Sequence, residues 1–173
     1  SLWEFLDWMY SASANSAASM VIQQAMLLDE YREAYPPSLA EINRFLKATS
    51  AKEEGDRSIA VMDAGLTKNG ISIDTLRQGS YFTRGGKYRA LGTKSIGSPK
   101  GLIQMMQKME SGQLVDSWSS LEMKRLMYIT QRRIRYASPP ALRDAALYFK
   151  SGSLYSCKPE EGFTCGKYMG NRK

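Results

Sequence analysis

The sequence predicts an α+β domain, mostly helical, with a β-hairpin at its C-terminus. Helix-start signals and a period near 3.6 recur over residues 2–47 and again over about 98–133. After Pro139-Pro140 the pattern changes to β-type runs on either side of one turn. With 173 residues, 43% of them apolar and 24% charged, the chain fits a single domain with a real core. Residues 1–144 are expected to form a helical subdomain and residues 145–173 the hairpin.

Leu2, Phe5, Leu6 and Met9 share one face, so residues 2–10 are predicted as a helix. Small polar residues from Ser11 to Ser16 predict a tight turn into a second helix. That helix is apolar almost all round from Ala17 to Leu28, as core helices are, and must end before Pro36-Pro37. Ser38 is expected to cap a third helix running to about Lys47. Between residues 49 and 98 periodicity is weak. Short strands or turns are expected around Ile59–Met62 and Ile71–Ile73, and Gly85-Gly86-Lys87 is expected in a loop without the P-loop pattern. Ser98 with Pro99 behind it is a helix start. Leu102, Met105, Met106 and Met109 then form a core stripe that Gly112 ends. Ser119-Ser120-Leu121-Glu122 has the form of a capping box opening a helix to about Arg133. Residues 145–157 and 162–169 are predicted as strands around Lys158–Gly162.

Composition excludes several chemistries. There is no histidine, which removes Ser-His-Asp and Cys-His nucleophilic sites, helical HExxH zinc sites and imidazole proton shuttles. Acid–base chemistry within the chain must use Lys, Tyr, Glu or Asp. The two cysteines, Cys157 and Cys165, are too few for a structural zinc site; they are free thiols or a disulfide. Directly opposed across the predicted hairpin, with Lys158 facing Thr164, they would stand near disulfide distance. No metal or cofactor is expected. Net charge is +7, densest at Gln131-Arg132-Arg133-Ile134-Arg135, but no RNA-binding or zinc-finger pattern accompanies it, so no nucleic-acid partner is expected. The longest apolar run, Ala17–Ile22 with Ser19 inside it, is far too short to span a bilayer.

Two short motifs carry the candidate chemistry. Ser13-Ala14-Asn15 lies in the turn between the first two helices, and Lys150-Ser151-Gly152 lies on the first predicted strand of the hairpin. Each is common alone, and the plain alternative is that Ser13 or Asn15 caps the next helix. Together, in these settings, they resemble the second and third motifs of the serine β-lactamase and penicillin-binding DD-peptidase superfamily, whose signatures are S-x-x-K, S-D-N and K-T-G. The resemblance runs from about Trp3 to Met169 and includes the Ser98-Pro99 helix start. Ala14 replaces aspartate and Ser151 replaces threonine, both mild changes. No Ser-x-x-Lys occurs. Thr49-Ser50-Ala51-Lys52 and Thr164-Cys165-Gly166-Lys167 come nearest, but neither is predicted at a helix N-terminus, where the family holds its nucleophile. The resemblance therefore places the nucleophile upstream of Ser1 and implies a partial domain, truncated at both ends, with part of the transpeptidase-like antiparallel sheet.

The resemblance implies acyl-enzyme chemistry on D-Ala-D-Ala peptides of peptidoglycan or on β-lactams, in an extracytoplasmic compartment. Ser13 and Lys150 would be catalytic. Asn15, Ser151, Gly152 and Ser153 would bind substrate, Ser153 through its backbone N–H as an oxyanion donor. Glu41, Glu53 and Glu54 are deacylation-base candidates by position only. Two alternatives stay open: a pseudoenzyme that binds muropeptides without turnover, and a non-catalytic helical module with a basic surface. If the hydrolase reading holds, Ser13 and Lys150 should meet near hydrogen-bonding distance.

Overall fold

A computed structural model of the chain describes residues 1–130, 139–150, 152 and 158–165. Among them are seven α-helices: α1 (Leu2–Ser11), α2 (Asn15–Tyr31), α3 (Leu39–Ala48), α4 (Ala51–Lys68), α5 (Arg84–Arg89), α6 (Pro99–Glu110) and α7 (Ser117–Tyr128). Two short strands, β1 (Leu76–Arg77) and β2 (Ile96–Gly97), pair antiparallel with Leu76 opposite Gly97. The described molecule is thus helical with a small antiparallel sheet, α+β in the coarse sense. None of its helices is long and apolar enough to cross a membrane.

Helix α2 is central. It packs on α1 and on α4, while α1 also contacts α7, and α7 contacts α6. Ala17, Ala18, Ile22, Met26 and Leu27 are all buried, which accounts for its nearly uniform apolar sequence. Ser19 is buried on the same helix, and its Oγ accepts from the N–H groups of Phe82 and Thr83 at 3.1 and 3.2 Å. A second core cluster gathers Ile71, Met109, Leu114 and Met127 between α6 and α7, with Tyr10 of α1 packed on it.

Several helix starts match the sequence. Ser38 and Glu41 form a reciprocal capping box, and Ser98 caps α6 with Pro99 in the first turn. Gly112 follows α6 with φ +72°, the left-handed conformation that ends helices. Helix α7 begins earlier than expected: Asp116 is its cap, accepting from Ser119 N–H at 2.6 Å, and Ser120 instead bonds the backbone of Leu114.

The largest correction lies between residues 49 and 98. Ile59–Met62 is neither strand nor turn but the middle of the 18-residue α4. Ser50 is the N-cap of that helix, so Thr49-Ser50-Ala51-Lys52 stands at a helix start after all, with the buried Thr49 hydroxyl donating to the Phe45 carbonyl at 2.7 Å. The turn expected as one alternative at Ile71–Ile73 begins at Ile73, and Ile71 is buried. Apolar periodicity failed because the buried face of α4 is Glu54, Gly55, Ser58 and Ile59, mostly small or polar. Gly55 lets Leu91 come close: a Cβ there would lie 1.9 Å from the Leu91 carbonyl oxygen. Gly85-Gly86-Lys87 is helical rather than a loop, in α5, because Thr83 caps that turn by accepting from Gly86 N–H. Asp63 of α4 then holds Arg77 of β1 through two bonds, Nε–Oδ1 at 3.1 Å and Nη2–Oδ2 at 2.6 Å.

Of the predicted C-terminal hairpin, residues 151, 153–157 and 166–169 lie outside the described residues. Among the described residues of 145–165 no strand is assigned. The turn is tighter than expected: Glu160 and Phe163 bridge directly around Glu161-Gly162, with Gly162 at φ +77°. That register does not set Lys158 opposite Thr164. The basic run at 131–135 lies outside the described residues.

Candidate active site

Helix α1 ends at Ser11, whose hydroxyl donates back to the Asp7 carbonyl at 2.8 Å. The chain then reverses through Ser13, which has φ +54°, and Ala14 N–H donates to the Trp8 carbonyl at 3.1 Å. Glycine is the usual residue for such a reversal; a serine there costs on the order of 1–2 kcal/mol. Strain of this kind concentrates at functional positions. Neither motif residue serves as a cap. Ala14 is the N-cap of α2 and makes no side-chain bond, and Asn15 is the first helical residue, exposed to solvent. The plain explanation for Ser13 and Asn15 therefore does not describe this turn.

Lys150 arrives from the other end of the chain. Its Nζ donates to Ser13 Oγ at 2.7 Å, across 137 positions. The segment carrying it is docked on α7 and on the residue two past its end. Tyr148 lies 6.0 Å from the Tyr128 ring, with the Lys124 ammonium 4.7 Å from its centroid. Phe149 N–H donates to the Met127 carbonyl at 3.3 Å. The buried Thr130 donates its hydroxyl to the Phe149 carbonyl at 2.9 Å and stands 3.5 Å from the Tyr10 carbonyl of α1. Thr130 and Tyr148 were not singled out from the sequence, because nothing local marks a contact so far along the chain.

The arrangement has a chemical consequence. A hydroxyl that accepts from an ammonium is polarised, and its own proton becomes easier to donate to a third group. The Lys150–Ser13 pair is solvent-facing, so the polarised hydroxyl is accessible from outside. Gly152 is exposed, and a Cβ built on it would meet nothing within 4 Å, so the protein's own packing does not demand glycine there. Ser151, Ser153 and Cys157 lie outside the described residues. Cys165 is disulfide-bonded.

The three carboxylates proposed by position have other uses. Glu41 closes the cap of α3, where its hydrogen bonds to the Ser38 side chain and backbone hold its pKa below the ordinary range. Glu53 pairs with Arg57 at 2.8 Å on the surface. Glu54 is fully buried against Arg89, whose Nη2 is 2.9 Å from Oε2. A depression of about 490 Å³ is lined by Ala25, Leu28, Asp29, Arg32, Glu33 and Val61. It sits roughly 20 Å along α2 from Asn15, at 1.5 Å per residue, and so is separate from the Ser13–Lys150 pair.

No family model, curated protein or solved structure matches this chain.

Proposed function

We propose that this chain forms part of a penicillin-recognising serine hydrolase, acting through an acyl-enzyme on D-Ala-D-Ala peptides or β-lactams. The observation that carries the reading is the Lys150 Nζ to Ser13 Oγ hydrogen bond at 2.7 Å. It joins two motifs 137 positions apart in the geometry that a proton relay needs.

In this reading a serine from a Ser-x-x-Lys motif upstream of Ser1 attacks the amide carbonyl. A new C–O bond forms and the C–N bond breaks; the attacking serine's proton passes to the lysine of its motif, and Ser13 gives its proton to the departing nitrogen while taking one back from that lysine. The Lys150 ammonium polarises Ser13 and, with Ser151, attracts the substrate carboxylate. Asn15 hydrogen-bonds the substrate's side-chain amide, the Ser153 N–H serves as an oxyanion donor, and Gly152 leaves room for the substrate backbone. The disulfide at Cys165 suits an extracytoplasmic location. The fold belonging to this reading is a transpeptidase-like domain, with the described helices as its helical part.

The test is covalent labelling of the longest natural protein that contains this chain with a fluorescent penicillin, followed by a denaturing gel. A stoichiometric band is expected, Ser13→Ala should slow its formation by about 100-fold, and the 173-residue chain alone should take no label. A natural protein that binds penicillin reversibly but never covalently would make it a pseudoenzyme. One that neither labels nor binds would favour the helical binding module.

A further inference from the structure

We propose that the Thr130 hydroxyl is the positioning group that holds Lys150 on Ser13; its chemical meaning rests on the hydrolase reading above. Lys150 is exposed, and ordering a long surface side chain costs rotamer freedom, so a fixed backbone beneath it favours the contact with Ser13. That backbone has two anchors at Phe149, the residue next to Lys150. Phe149 N–H reaches the Met127 carbonyl at 3.3 Å, and its carbonyl accepts from Thr130 Oγ1 at 2.9 Å.

The same Thr130 oxygen stands 3.5 Å from the Tyr10 carbonyl, three residues before Ser13. One hydroxyl therefore touches both of the segments whose ends must meet, that of Ser13 and that of Lys150. A threonine just past a helix commonly bonds a carbonyl of its own last turn. Thr130 instead reaches partners 19 and 120 positions away. It is also 3% exposed, so water has little access to replace the bond if the hydroxyl is removed.

Two variants of the longest natural protein test the clamp. Thr130→Val keeps the shape and deletes the donor; Thr130→Ser keeps the donor. Two readouts are needed, amide hydrogen exchange at Phe149 and the rate of covalent penicillin labelling. Thr130→Val should lose about tenfold in both, with exchange in α2 and α4 unchanged, while Thr130→Ser stays within about threefold of the parent. Unchanged exchange and labelling in Thr130→Val would overturn the proposal. So would an equal loss in both variants, because the hydroxyl would then not be the active feature. If the parent takes no label, the hydrolase reading fails by itself. The exchange measurement still decides the clamp, upheld by faster exchange confined to the Phe149 region of Thr130→Val and overturned without it.

Discussion

Glu54 is fully buried and faces Arg89, whose Nη2 stands 2.9 Å from Oε2. Burial raises its pKa above the ordinary 4.5, and Arg89, through its charge and then its hydrogen bond, offsets only part of that. Between 4.5 and the raised value the folded state holds a proton that the unfolded chain has released. The stability this group contributes is therefore complete below about 4.5 and falls as pH rises through the raised value. The Tm of the natural protein should decline across that window relative to Glu54→Gln, whose side chain does not titrate there. Parallel Tm curves for the two proteins would show that Glu54 ionises without cost. The sequence offered Glu54 as a deacylation base by position. Its burial and its arginine were invisible there, because Arg89 comes from another helix.

Helix α4 contains two glycines with opposite roles, and the helix itself explains both. In an open helix interior, Gly→Ala is stabilising by about 1 kcal/mol. A Cβ on Gly65 would meet nothing within 4 Å, so Gly65→Ala should raise stability by up to that amount. A Cβ on Gly55 would lie 1.9 Å from the Leu91 carbonyl oxygen, so Gly55→Ala must push α4 away from the chain after α5. The expected loss is about 1–3 kcal/mol, as for other overpacked sites. Urea unfolding of both variants checks the pair; equal signs would mean that Leu91 yields freely. The same glycine explains why α4 was not legible. Close backbone approach replaces an apolar stripe, and periodicity arguments detect only stripes. The helices starting at Leu39 and Pro99 were legible because Ser38 with Glu41 and Ser98 with Pro99 are local capping signals.

At the scale of the whole molecule, the turn at residues 10–13 and the segment at 149–150 are held together. Tyr10 and Ser13 lie near the N-terminus, Phe149 and Lys150 near the C-terminus, and Thr130 stands between them. The turn at Glu160–Phe163 leads to Cys165, which is disulfide-bonded. Iodoacetamide under native, non-reducing conditions should leave Cys165 unmodified, and mass spectrometry after reduction should show it alkylated. Alkylation of Cys165 before reduction would remove the support that the bond lends to an oxidising compartment.

The sequence by itself determined the helical character, several helix starts, the absence of histidine chemistry and the two motifs worth watching. Each depends on neighbours within a turn or two, where capping and composition act. The Ser13–Lys150 contact was expected from the two motifs, and the structure brings the pair to 2.7 Å. Only the tertiary structure decided that Ser13 adopts a left-handed backbone, that Thr130 bonds Phe149 beside that lysine, and that residues 51–68 form a helix. These outcomes rest on contacts between residues tens to more than a hundred positions apart, such as Thr130 with Tyr10 and Gly55 with Leu91. No local pattern encodes such distances, because they follow from how the helices pack.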